Sequence, residues 1–290
     1  MITYNHEPYI AQAIEGVLMQ KTDFPIEIII GEDCSTDNTR VIVKEYAEKY
    51  PNIIVAQLPD KNRGMKQNFE AVLHSAKGKY IALCEGDDYW IDSMKLQIQI
   101  SYLEENSTCF LCCHNSEVLL DDNRKKIFSR IKKSRILTEK ELINNWIIPT
   151  CSIVIRNGNW LNFPSWSKQI YSSDQLLILM AMNMGDVFFI NRNMAVYRFF
   201  INTGSMSSKM KNKIVFVNRQ IYYMLSMFNI ETNYKYSKLI AIKHNNIKNG
   251  MRLMLLRNRR KLLVSVFFMT KYVFMRMYYK INTYCSNSLN

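Results

Sequence analysis

The chain has 290 residues, 48% of them hydrophobic and 22% charged, which suits one large domain, or a domain with an appendage, around an ample core. The net charge of +13 is unevenly split: residues 1–208 carry 22 Lys and Arg against 24 Asp and Glu, whereas residues 209–290 carry 16 basic residues against the single acid Glu231. The basic character therefore belongs to the tail, no nucleic acid partner is expected, and no uncharged apolar run reaches the ~18 residues of a membrane-spanning helix.

The start, Met1 followed by "ITYNHEPY", shows neither the basic residues nor the apolar core of a secretory signal, so a cytoplasmic location is expected. Apolar pairs at Tyr9–Ile10, Ala13–Ile14 and Val17–Leu18 form one face of a helix, with Pro8 at its first position. "IEIIIGED" (Ile26–Asp33) reads as a strand ending in acids, and Asp37 in "STDNTRVIVKEYAEKY" caps the next helix. "NIIVAQL" is a second strand, and "GMKQNFEAVLHSAKG" is a helix that leads into the strand Tyr80–Cys84. Helices alternating with buried strands imply an α/β fold with a mostly parallel, Rossmann-like sheet covered by helices on both faces. Ligands of such sheets bind outside the carboxyl ends of the strands, where Asp33 and the Asp87–Asp88 pair both fall.

Beyond Trp90 the pattern is less regular. "SMKLQIQISYLEEN" predicts a helix, "CFLCCHNSEVLL" a strand, and the charged run Asp121–Arg135 a solvated hairpin or loop. "SSDQLLILMAMNMG" predicts an apolar helix starting near Asp174, and "VFFINRNMAVYRF" one or two strands. The seven cysteines, several in apolar runs, read as reduced and buried thiols. Cys109, Cys112, Cys113 and His114 cluster, but no second ligand pair follows at the spacing of a zinc site.

The acute question is why the buried run "YIALCEGDDYW" ends in adjacent carboxylates, Asp87 and Asp88. Like charges at a strand tip repel, and a divalent cation, a protonated partner or full hydration must offset them. Paired carboxylates also serve glycoside hydrolases, but two neighbours on one strand tip cannot flank a glycosidic bond.

Over roughly residues 1–208 the sequence resembles the family 2 glycosyltransferases, enzymes of the GT-A fold. Six segments carry the likeness in order: "ITYNHEPYI", "IIIGEDCSTDNT" (similar to a "DDGSTDNT" turn, with Glu32 and Cys34 departing), "NRGMKQNF", "AKGKYIALCEGDDYW", "SSDQLL" and "MAVYRF". The resemblance implies an inverting transfer from a nucleotide-sugar donor, most often a UDP-sugar, to a saccharide or lipid-linked glycan acceptor in surface polysaccharide synthesis. It implies that Asp88 binds Mn²⁺ or Mg²⁺, with Asp87 on the donor ribose or the metal's water shell. Such an ion bridges the diphosphate and neutralises its developing charge. Asp33 would accept a hydrogen bond from the base, against which Thr3 and Tyr4 lie with Glu7 nearby, or would instead cap the following helix. Asp174 is the candidate general base, a helix cap being the other role for it, and Arg198 would pair with the diphosphate or form a structural ion pair. Tyr89 and Trp90 would cap the cleft or begin the next helix. Relatives carry a His shortly after this Arg, which "RFFINTGSMS" lacks.

Relatives also have a complete apolar strand before "TYN", where only Met1 and Ile2 stand here. The expectation is that the true start lies upstream; the rival expectation is a non-catalytic nucleotide- or membrane-binding relative inactivated by truncation. Residues 209–290 read as a basic amphipathic helical tail, suited to the anionic inner face of a membrane as a peripheral anchor, or to packing on the GT-A domain of residues 1–208.

Overall fold

The computed structural model of the protein describes residues 1–199 and 213–257. Two compact units emerge, Met1–Ile240 and Ala241–Asn290.

The first unit opens with β1 (Ile2–Thr3), α1 (Ile10–Leu18), β2 (Ile28–Glu32), α2 (Thr39–Lys49), β3 (Ile54–Gln57), α3 (Met65–Ser75) and β4 (Tyr80–Ala82). In α1 the residues Ile10, Ala13, Ile14 and Val17 form a buried stripe at helical spacing. Pro8 stands in the turn before α1 rather than at its first position. All five residues of β2 are buried, as a central parallel strand requires. β1, β2 and β3 form a parallel three-stranded sheet in that order. β1 also meets the neighbouring sheet, because the Gly86 N–H donates to the Ile2 carbonyl at 2.9 Å. At the starts of β2 and β4 lies an apolar cavity of about 860 Å³, lined by Ile26, Ile29, Leu73, Tyr80, Ile81 and Leu96.

After β4 come β5 (Tyr89–Trp90), α4 (Lys95–Glu105), β6 (Cys109–Leu120), β7 (Lys125–Ile127), β8 (Arg135–Ile136), α5 (Glu139–Asn144), β9 (Val154–Arg156), α6 (Ser173–Met184) and β10 (Asp186–Phe199). Their sheet runs β4-β9-β6-β10-β5, with β7 on β6 and β8 on β10. Here β6 and β10 are parallel, while β9 and β5 run antiparallel to their neighbours. The mostly parallel sheet expected from the alternation is thus confined to the first three strands, and the second sheet is mixed. Tyr89 and Trp90 do not start a helix; they pair with Val196 and Ala195 of β10. The charged run contains the expected hairpin, β6 to β7, with Asn123 in the left-handed region at φ 61°.

Two helices follow, α7 (Ile214–Glu231) and α8 (Ser237–Arg257). Although the composition changes at residue 209, α7 belongs to the first unit: Tyr223, Met224, Leu225 and Phe228 are buried. The Trp166 ring lies edge-on to Tyr223, and its indole N–H donates to Glu231, the tail's lone acid, at 3.3 Å. The described part of the second unit is the helix that continues from Ala241. Most of the basic amphipathic stretch at 250–281 lies outside the described residues. No helix among the described residues is long and apolar enough to cross a membrane.

Candidate active site

The tip of β4 is made by close approach of main chain to main chain. A Cβ on Gly86 would stand 2.6 Å from the Thr3 hydroxyl and 2.7 Å from the Thr3 Cβ, so only glycine fits beneath β1. The chain then turns Asp88 inward and leaves Asp87 at the rim. Asp88 is 1% exposed. Its Oδ1 accepts the backbone N–H of Arg198 at 2.8 Å; its Oδ2 is buried and, among the described residues, has no hydrogen-bond partner within normal reach, the weak donor Cys151 being the neighbouring thiol. Burial, and then the charge of Asp87, hold the Asp88 carboxyl well above the usual carboxylate range. An oxygen left so is a strong request for a cation or a proton.

Glu85, which the sequence reading passed over, belongs to the same group. Burial raises its carboxyl, and Asp87, Asp88 and Asp174 add to the effect in that order. Asp174, although about 90 residues away in sequence, comes to the same end of the sheet because it binds Thr150, and the chain that follows Thr150 meets the strand tip. There the Leu83 N–H donates to the Ile153 carbonyl at 3.0 Å and the Trp90 indole N–H to the Cys151 carbonyl at 2.9 Å. It lies in the first turn of α6, but the helix cap is Ser172. The Asp174 Oδ2 accepts the Thr150 hydroxyl at 2.9 Å, and among the described residues Oδ1 takes no hydrogen bond. Lys66 of α3 reaches the adjacent Ser173 hydroxyl at 3.5 Å and pairs with Glu70 at 3.1 Å.

The other expected contacts divide. Thr3 is buried beneath the tip with its hydroxyl unpartnered among the described residues, and Tyr4 is 41% exposed beside it. Asp33 is buried at the end of β2, and its two oxygens accept the Arg63 N–H at 2.7 Å and the Gly64 N–H at 2.9 Å. It is not a helix cap; it anchors the loop that bounds an open polar recess from Gln57 to Arg63. The Glu7 carboxylate receives the Asn38 backbone and side-chain N–H groups at 3.0 and 2.8 Å, and so fixes the entry to α2. Arg198 is 8% exposed, and its guanidinium donates to the Asp87 carbonyl at 2.7 Å and to Gln12. The same group sits over the rings of Tyr9 and Tyr89 at 4.9 and 4.4 Å. Here Arg198 braces the strand tip from below. His6 was missed as well: its Nε2 lies 3.8 Å from the Asp87 carboxylate. "NHE" gave no periodic signal, and only the fold of β1 under Gly86 brings this ring to Asp87.

No set of three or more His, Cys, Asp or Glu side chains converges as a ligand cage among the described residues. The unpartnered Asp88 oxygen beside Asp87 nonetheless fits a hard cation that draws its remaining ligands from phosphate and water, the habit of Mg²⁺.

A family model, glycosyl transferase family 2, matches residues 1–163. The chain belongs to that family. An uncharacterized protein of Mycobacterium tuberculosis is 37% identical over 198 residues, 68% of this chain and 57% of the relative, so the chain spans little more than half of that protein's length. The Escherichia coli enzyme WfgD, a UDP-Glc:alpha-D-GlcNAc-diphosphoundecaprenol beta-1,3-glucosyltransferase, is 28% identical over 220 residues, 76% of this chain and 81% of its own. Among solved structures, residues 1–349 of Staphylococcus aureus TarS superpose with a TM-score of 0.57 at 21% identity, over 77% of this chain and 63% of that one. A Pyrobaculum calidifontis mannosyltransferase in complex with GDP-Man and Mn²⁺ gives 0.57 at 15% identity, over 84% and 67%. At these identities the structural likeness shows the fold, which is GT-A.

Proposed function

We propose that this family 2 glycosyltransferase moves a sugar, with inversion, from a nucleoside-diphosphate donor to a hydroxyl of a saccharide or lipid-linked saccharide, in the building of a surface polysaccharide. The observation that carries the reading is the buried, unpartnered Oδ2 of Asp88 beside Asp87, with Asp174 gathered to the same tip. Similarity to WfgD favours UDP as the donor nucleotide.

Asp88 would hold a Mn²⁺ or Mg²⁺ ion, with Asp87 on its water shell or on the donor ribose, and such an ion would supply positive charge to the departing diphosphate. Asp33 accepts from the base in the recess beside residues 57–63, and Thr3 and Tyr4 flank it. Glu7 and Arg198 support this wall from behind through Asn38 and the Asp87 carbonyl. Asp174 takes the proton of the acceptor hydroxyl on its open Oδ1, while Thr150 fixes the carboxylate's orientation. The chain works from the cytoplasmic face of the membrane, with the basic residues beyond α7, which is itself packed into the first unit, as its peripheral contact.

The test pairs turnover with binding. Asp174→Asn lowers sugar transfer by about 10²–10⁴-fold, the usual worth of a general base, while leaving a Mn²⁺-dependent thermal shift with UDP in place. Full activity in that variant removes Asp174 from the mechanism. If UDP, GDP, dTDP and CDP all fail to shift the melt with metal, the donor site itself is refuted.

A further inference from the structure

Four tryptophans occur in the chain, and three have an evident structural task. Trp90 and Trp166 are buried, and the indole N–H groups of Trp90, Trp160 and Trp166 donate to the Cys151 carbonyl, the Arg156 carbonyl and Glu231. Trp146 differs on both counts. It is 50% exposed, and its indole N–H has no partner among the described residues.

The ring is nonetheless held firmly. Trp146 meets Phe128 edge-to-face at 5.1 Å and Tyr197 at 6.0 Å, and Phe128 meets Tyr197 in the same way at 5.5 Å. Each of the three contacts has the geometry that ring quadrupoles favour, so the indole has a fixed attitude. Tyr197 is tied to the catalytic tip through main chain, and Phe128 through a short run of contacts. Tyr197 precedes Arg198, whose N–H binds Asp88. The Phe128 N–H donates to the Ser116 carbonyl at 2.9 Å, and the Ser116 hydroxyl lies 3.9 Å from the Cys151 thiol, next to the Thr150 that holds Asp174. Trp146 is four residues before Thr150, so their Cα atoms are at most ~14 Å apart. Through Tyr197, the indole lies within roughly 18 Å of the Asp88 carboxylate. A short oligosaccharide bridges such a span.

We propose that Trp146, seated on Phe128 and Tyr197, is the platform on which the acceptor saccharide lies; this rests on the glycosyl-transfer reading above. The C–H face of a pyranose matches the negative face of an indole, and the free N–H is placed to donate to a sugar hydroxyl. Trp146 thereby selects the acceptor and aims its hydroxyl at Asp174, without touching the donor.

Two measurements decide. In the first, methyl β-glycosides of glucose, galactose and N-acetylglucosamine are titrated while tryptophan emission is followed; at least one changes the emission saturably in the wild type and does not in Trp146→Phe. In the second, UDP release from a UDP-sugar is followed with and without acceptor. Trp146→Ala lowers kcat/KM for the acceptor at least tenfold and leaves acceptor-free UDP release and donor KM within twofold, while Trp146→Tyr restores most of the loss. An unchanged acceptor KM, or an equal fall in acceptor-free release, overturns the platform. Should Trp146→Ala not fold, the Phe and Tyr variants carry the same comparison. If the wild type releases no UDP at all, the transferase reading has failed, and the emission titration alone upholds or overturns the sugar platform.

Discussion

The proposed donor side of the site, residues 1–90, and the proposed acceptor side, residues 109–199, are built by opposite means. On the donor side nearly every functional carboxylate is positioned by backbone groups: Asp88 by the Arg198 N–H, Asp33 by Arg63 and Gly64, Glu7 by Asn38. On the acceptor side the shape comes from side-chain rings, Phe128, Trp146 and Tyr197. Main-chain geometry cannot yield by half an ångström without breaking a hydrogen bond, whereas a ring can be exchanged for a similar ring. The donor side should therefore be intolerant of a single methyl group, and the acceptor side tolerant of conservative exchange.

The sharpest way to break this contrast is Gly86→Ala. The added methyl meets the buried Thr3 at 2.6–2.7 Å, and Thr3 is too short to swing aside. Forcing it in costs about 2–3 kcal/mol, the range of overpacked cores. The expected result is a lower melting point and loss of the metal-dependent nucleotide shift. Combining it with Thr3→Gly, which removes both offending atoms, should return part of the stability. Strict additivity of the two changes would show that the close approach is not what requires glycine.

The seam between the two sides holds a buried ammonium. Lys95 is 0% exposed, its Nζ has no hydrogen-bond partner among the described residues and stands 4.0 Å over the Trp90 ring, and burial lowers its pKa from 10.5 to about 8. Between pH 8 and 10.5 the unfolded chain binds more protons than the folded one, so folding stability rises with pH through that window. Below pH 8 the full penalty is present, about 3 kcal/mol from the shift, partly offset by the ring contact. Lys95→Met should therefore be more stable than the wild type by about 1–2 kcal/mol at pH 7. Urea unfolding at pH 7 and pH 10 would show the gap shrinking at the higher pH. A variant less stable than the wild type at pH 7 would mean that the ammonium–indole attraction outweighs burial.

The same division explains what could be read in advance. The donor side was legible because its chemistry sits at the ends of short apolar runs: β2 stops at Asp33 and β4 leads to Asp87–Asp88, so periodicity alone pointed to the cleft. What remained hidden was contributed across long separations. Arg198 read equally as a partner of the diphosphate or as one half of a structural ion pair; that β10 pairing with β5 delivers its N–H to Asp88 and its guanidinium to the Asp87 carbonyl carried no local signal. Glu85 was overlooked because only the fold brings Asp174 to it. Trp146 lies in a stretch with no period, between α5 and β9, and its partners come from β10 and from the residue after β7. The antiparallel insertion of β9 beside β4 carried no local signal either, since Val154–Arg156 is three residues long.

The smallest effect tests whether the donor side's rigidity is a matter of space or of backbone conformation. Cys34 follows Asp33 with φ at 60°, in the left-handed region that an L side chain enters at a cost, and it departs from the glycine of the "DDGSTDNT" turn it resembles. Its thiol donates to the Asp60 carbonyl at 3.6 Å, a weak bond on a partly exposed side chain. Cys34→Gly removes the strain and that bond together, and conformational relief of about 0.5–1 kcal/mol is the larger of the two. The melting point should rise by about 1–3 °C, with transfer activity unchanged. A fall would mean that the thiol's hold on the loop through Asp60 outweighs the left-handed backbone, and that this turn, like the ring cluster opposite, is secured by a side chain.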